Sequence, residues 1–121
     1  MSNFEDVTHP QMVHALVKPG QDVVDEMTPM KANIMHMAVG ISGEAGELLD
    51  AIKKHVFYNK PLDMVNVIEE LGDLEFYMEG LRQEVEVMRL TTLKMNKEKL
   101  SKRYHSLTYS DQHAQERKDK A

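Results

Sequence analysis

At 121 residues the chain is one domain with a limited core, and the absence of cysteine excludes disulfides, thiolate metal sites and a cysteine nucleophile. Nowhere do the ~18 consecutive apolar residues of a membrane span occur, and Met1 to Asp6 carries acids and no apolar run, so a cytoplasmic protein without a membrane partner is expected. The net charge of −5 is spread unevenly, with 16 acids against 7 lysines and arginines in residues 1–93 and 4 against 8 in residues 94–121; so acidic a body, with no aromatics interleaved among the tail's lysines, speaks against nucleic-acid binding.

In chain order, His9-Pro10 opens a short helix that Lys18-Pro19-Gly20 closes. Thr28-Pro29 is a clearer start, an N-cap residue followed by proline at the first helical position, where its missing N–H is no loss. From there Ile34, Ala38, Ile41, Ala45, Leu48, Ile52 and Val56 recur at steps of three and four, which predicts a helix over about 29–58. Asn59-Lys60-Pro61 interrupts it and Asp63 caps the next. Ile68, Leu71, Leu74, Met78, Leu81, Val85 and Met88 then repeat the period, predicting a second long helix over about 63–88. Residues 91–104 are helical by propensity, and the last dozen are polar enough to fray. Strand signals are weak throughout. The expectation is an all-α bundle of about four helices, with two long antiparallel helices, a domain over residues 1–105 and a polar tail over 106–121.

The chemistry concentrates on those two helices. Glu44-Ala-Gly-Glu47 puts two carboxylates a turn apart on one helix face, and Glu70-Leu-Gly-Asp73 repeats the spacing on the next helix. A short connection makes the helices antiparallel neighbours, so both pairs can face one groove. Four converging carboxylates repel one another unless a cation neutralises them, and with oxygen ligands only the fitting ion is hard, Mg²⁺ first and Mn²⁺ as a substitute. Lys54, Asn66 and Tyr77 lie on the same stripes. Glycines 40, 43, 46 and 72 each weaken a helix by about 1 kcal/mol relative to alanine, which calls for a close approach by a neighbouring helix or a nucleotide.

These residues resemble the MazG-like all-α NTP pyrophosphatase superfamily, whose signature is E-x-x-E, a spacer of a dozen to nearly thirty residues, then E-x-x-D. Here the spacer is the 22 residues 48–69. Gly43-Glu-Ala-Gly-Glu-Leu-Leu-Asp50 and Glu69-Glu-Leu-Gly-Asp-Leu74 read like the two metal-binding segments, and Asn96-x-x-Lys99-Leu-x-x-Arg103-Tyr104 is similar to the pattern that follows them. The resemblance covers roughly residues 30–105. It implies a nucleoside triphosphate substrate cleaved between the α and β phosphates to NMP and pyrophosphate, with Glu44, Glu47, Glu70 and Asp73 as Mg²⁺ ligands. One carboxylate, with Glu47 as the candidate, would serve as base to the attacking water. Lys54, Asn96, Lys99 and Arg103 are the expected phosphate contacts and Tyr77 the contact to base or sugar, with Tyr104 less directly placed.

Plainer readings stand beside this one. Met27, Met30, Met35 and Met37 suit a base pocket but more often form core or interface, and His14 and His36 more often pack or face solvent than touch a ligand. A dUTPase/dCTPase-type or phosphoribosyl-ATP pyrophosphatase specificity fits the acidic motif equally, and a non-enzymatic helical interaction module is the alternative from another class. A ferritin-like di-iron site needs Glu-x-x-His, which is absent. Finally, Leu48-Leu49, Val67-Ile68 and Val87-Met88 place apolar side chains about 100° apart around each helix. One hairpin cannot cover both stripes, so a homo-oligomer is expected, a tetramer before a dimer.

Overall fold

The computed structural model describes residues 4–120; Met1 to Asn3 of the acidic start and Ala121 of the tail lie outside the described residues. Those residues form six α-helices, α1 (His9–Leu16), α2 (Gly20–Glu26), α3 (Pro29–Phe57), α4 (Met64–Glu84), α5 (Arg89–Arg103) and α6 (Asp111–Glu116), with 3-10 turns at Phe4–Asp6 and Lys118–Lys120. No strand occurs among them. The chain divides into two compact units, residues up to Ala32 and residues from Asn33 onward.

In the first unit, Thr8 and Gln11 close a capping box. The Gln11 N–H donates to Thr8 Oγ1 at 3.3 Å, and the Thr8 N–H donates to Gln11 Oε1 at 2.8 Å. Helix α2 follows the Pro19-Gly20 stop signal directly. It was not anticipated, because seven residues beginning with glycine are too few to display a helical period. Thr28 caps α3 as expected, its Oγ1 accepting the Lys31 N–H at 3.1 Å.

The second unit is built on the α3–α4 hairpin. Helix α3 stops at Phe57, and Asn59 takes the left-handed conformation (φ 52°) that closes it. Asp63 then caps α4 by accepting the Asn66 N–H at 3.1 Å. Helix α4 ends at Glu84, four residues before the expected stop. Glu86 is left-handed (φ 57°), and the N–H of Val87 folds back onto the Arg82 carbonyl at 2.9 Å. Val85 and Met88, read as further helical repeats, therefore belong to the turn and to the N-cap of α5.

Across the hairpin the register is regular. Met37 meets Gly80, Gly40 meets Tyr77 and, two turns further on, Glu47 meets Glu70. The less exposed positions of α3 are Ile34, Met37, Ile41, Glu44, Leu48 and Ala51, a 3–4 repeat that passes through an acid. On α4 the corresponding line runs through Val67, Glu70, Leu74, Met78 and Leu81. Ala51 is the one buried apolar side chain among the described residues, and Glu70 and Arg82 are buried charged ones. Ala38, Ala45 and Ile52, which the sequence places on the core stripe, are exposed. The seam is thus rotated toward the carboxylates.

Within the polar tail the described residues form a short helix. Ser110 Oγ accepts the His113 N–H at 3.0 Å to cap α6, and the closing 3-10 turn packs on α5. Arg103 Nε donates to Asp119 Oδ1 at 3.1 Å, with the Asp119 side chain only 2% exposed. This pairing lowers the Asp119 pKa and raises that of Arg103.

Much apolar surface stays open. Val39, Val56, Val65, Ile68 and Phe76 are each more than half exposed.

Candidate metal centre

Glu44 and Glu70 occupy positions on the facing stripes where the 3–4 repeat otherwise places apolar residues, between Ile41 and Leu48 on α3 and between Val67 and Leu74 on α4. Glu47 joins them from the next turn of α3. One carboxylate oxygen from each of the three lies within 4.8 Å of the other two. Glu70 is buried, Glu44 partly so and Glu47 exposed.

The electrostatics of this group are unfavourable for three bare anions. Glu44 Oε2 and Glu70 Oε2 are both buried without a hydrogen-bond partner, and a buried polar oxygen lacking a donor carries a desolvation penalty. The pKa of Glu70 is pushed up to about 7. The first cause is a hydrogen bond from its protonated carboxyl to Glu44, followed by burial and by repulsion from Glu47 and Glu44. Three crowded carboxylates, two of them with unpartnered buried oxygens, leave negative charge uncompensated, and a donor set of carboxylate oxygens is the chemistry that hard divalent ions select. The residues therefore fit a Mg²⁺-class ion.

Asp73 is the one expected ligand that the structure does not bring in. By the hairpin register it lies one turn from Glu70, opposite Glu44, yet it is exposed and outside the three-carboxylate group. An aspartate is one methylene shorter than a glutamate, so from the same backbone position its oxygens reach less far across the groove.

The other expected site residues are distributed along two regions. Tyr77 lies in the groove, its ring against Gly40 and next to His36 at 6.2 Å between centroids. Phe76 meets it edge-on at 5.2 Å. Lys54 stands two turns beyond Glu47, its Nζ 3.1 Å from Asp50 Oδ2. Asn96, Lys99 and Arg103 are on α5, which packs against α6 and the terminal 3-10 turn. Among the described residues none of the three has a hydrogen bond or ion pair to the acidic group, and Arg103 is engaged by Asp119. His14 is an exposed residue of α1. Met37 is half-buried against Gly80, while Met27, Met30 and Met35 are exposed.

One contributor went unread in the sequence. In the sequence Lys60 reads as part of a helix-breaking turn, but it lines a cavity at the hairpin end together with Lys54 and Asn66. A basic residue between an asparagine and a proline was the available signal.

Comparison with models of known families, with curated proteins and with solved structures finds no match for this chain.

Proposed function

We propose that the protein is a Mg²⁺-dependent nucleoside triphosphate pyrophosphohydrolase of the MazG-like kind, converting an NTP or dNTP to the monophosphate and pyrophosphate in the cytoplasm. The observation that carries this reading is the convergence of Glu44, Glu47 and Glu70, with buried orphan oxygens on two of them, at the positions where the E-x-x-E and E-x-x-D motifs coincide. A solvated acidic face does not bury its carboxylates in an apolar seam; a site that receives a cation does.

A divalent ion bound by these oxygens would supply charge neutralisation for the phosphates and a bound water of lowered pKa. The chain's own residues do the rest. Glu44, Glu47 and Glu70 would supply the ligand oxygens; Asp73, exposed and outside that group, stands as a fourth ligand on the E-x-x-D motif alone. Glu47, the most exposed of the three, has the access to solvent that a base for the attacking water needs. Lys54 offsets charge on the departing phosphates, and the ring of Tyr77 offers a face or edge to base or sugar.

The protein acts as a homo-oligomer in this reading. Apolar side chains on two stripes about 100° apart around the long helices, such as the exposed Leu49 and Ile68, favour more than one contact per subunit and hence a tetramer before a dimer. No helix among the described residues is long and apolar enough to cross a membrane.

The test is a panel of the eight common NTPs and dNTPs with Mg²⁺, the products separated by chromatography. Pyrophosphate plus monophosphate is expected, and the preferred base chooses among general, dUTP/dCTP-directed and phosphoribosyl-ATP-directed specificities. Stepwise release of orthophosphate, or no turnover with any nucleotide, overturns the proposal.

A further inference from the structure

Beyond the carboxylates, toward the turn that joins α3 to α4, the hairpin holds a cavity of about 270 Å³ lined by Ala51, Lys54, Lys60, Pro61, Asp63 and Asn66. Ala51 is one turn past Glu47 and Asn66 one turn before Glu70, so the cavity begins about 6 Å along the helices from the acidic group. It continues the same groove.

Two lysines line this cavity. Lys54 comes from the last turns of α3, with only the exposed Asp50 as its partner. Lys60 comes from the turn, and its backbone is pinned. The Lys60 N–H donates to the Lys54 carbonyl at 3.2 Å. The Lys60 carbonyl accepts from His55 Nδ1 at 2.8 Å, which places the proton of that imidazole on Nδ1. The left-handed Asn59 supplies the reversal that makes both bonds possible. No ion pair engages the Lys60 ammonium among the described residues. The one acid in the lining, Asp63, is committed to capping α4 through the Asn66 N–H. Two lysines and a carboxamide thus border a space whose other end is acidic.

The opposite direction along the groove has a different character. There Gly40, His36 and Tyr77 bring together a bare backbone surface and two rings. Positive charge at one end, carboxylates in the middle and rings at the other define a polarity.

We propose that the hairpin cavity binds the β- and γ-phosphates of the nucleotide, the future pyrophosphate, through Lys54 and Lys60, so that the substrate lies along the groove with its α-phosphate at the carboxylates and its base toward His36 and Tyr77. This inference rests on the proposed activity and adds the orientation and the leaving-group subsite. Lysine suits that role because its ammonium acts as a point charge that follows a phosphate chain without fixing one geometry.

The experiment uses the full chain, inorganic pyrophosphate as the probe and Mn²⁺ as the paramagnetic ion. Calorimetry is expected to show pyrophosphate binding that falls about tenfold in Lys60→Gln and again in Lys54→Gln. Lys97→Gln, on α5, should leave it unchanged. Mn²⁺ at the carboxylates should broaden the phosphorus resonance of bound pyrophosphate, and should do so less in the lysine variants. Equal affinity in all variants, equal loss in Lys97→Gln, or a phosphorus signal indifferent to Mn²⁺ would each overturn the assignment. None of these readouts uses turnover, so failure of this subsite and failure of the proposed activity are told apart.

Discussion

Gly40 and Tyr77 approach so closely that a Cβ on residue 40 would overlap the phenol ring. The glycine is there because α3 and the ring of α4 need the volume that a side chain would take. The same test at Gly43, Gly46 and Gly72 finds nothing within 4 Å. Gly40→Ala should therefore lower stability by ~1–2 kcal/mol, an overpacking penalty of about 1–3 kcal/mol partly offset by the better helix propensity of alanine. Gly46→Ala or Gly72→Ala should raise it by up to about 1 kcal/mol. Thermal denaturation of the three variants checks this; an unchanged Gly40→Ala would mean that the ring yields freely.

The difference between those glycines shows what the sequence could and could not convey. All four stand near acids and look alike in the string, and only the cross-hairpin register, Met37 to Gly80 and Gly40 to Tyr77, singles out the one in contact. Helix existence was legible because Thr28, Asp63 and the 3–4 apolar repeat are local signals, and α3 begins and ends within a residue of where they put it. The seam was less legible. Ala38, Ala45 and Ile52 satisfy the period as well as Met37, Glu44 and Ala51 do, and periodicity counts apolar residues, so it cannot put a glutamate in the core. The fourth ligand was read from a motif that does not encode side-chain reach, and Asp73 falls outside the group. The tail's helix was hidden because composition does not reveal a long-range pair such as Arg103 with Asp119.

The metal-free protein should lose stability as pH rises through the range in which Glu70 ionises. In the folded chain its pKa is about 7 against an ordinary 4.5. Between those values the folded state holds a proton that the unfolded state has released, so stability falls with rising pH. The loss begins near pH 4.5 and is complete above about pH 7. Melting temperatures in chelator should decline across that window, Glu70→Gln should flatten the decline, and saturating Mg²⁺ should reverse it by stabilising the ionised group. A decline that persists in Glu70→Gln would assign the effect to other acids.

Turnover and folding should separate at the carboxylates. Glu47→Ala or Glu70→Ala removes a ligand oxygen and also relieves repulsion in an unneutralised cluster, so activity should be abolished while the metal-free fold stays intact or becomes more stable. Circular dichroism with a pyrophosphate-release assay measures both. Loss of the fold together with normal activity in the surviving molecules would show the acids to be structural.

Assembly follows from the surface that the hairpin leaves uncovered. Val65, Ile68 and Phe76 on α4, and Val39 and Val56 on α3, are each more than half exposed. They point away from a seam in which the least exposed residues include two acids, so the monomer's own core supplies little apolar burial. Covering these side chains removes apolar surface from water, the dominant favourable term in association. A second stripe about 100° away on each helix remains after the first is covered, which is the reason to expect four subunits before two. Multi-angle light scattering at micromolar concentration should return a mass four times, or failing that twice, the 13.9 kDa of the chain. Ile68→Glu and Phe76→Glu should shift the mass downward, since each would bury an unpaired charge at the interface. A monomer with full activity at that concentration, or an oligomer indifferent to both substitutions, would refute this account of the exposed faces.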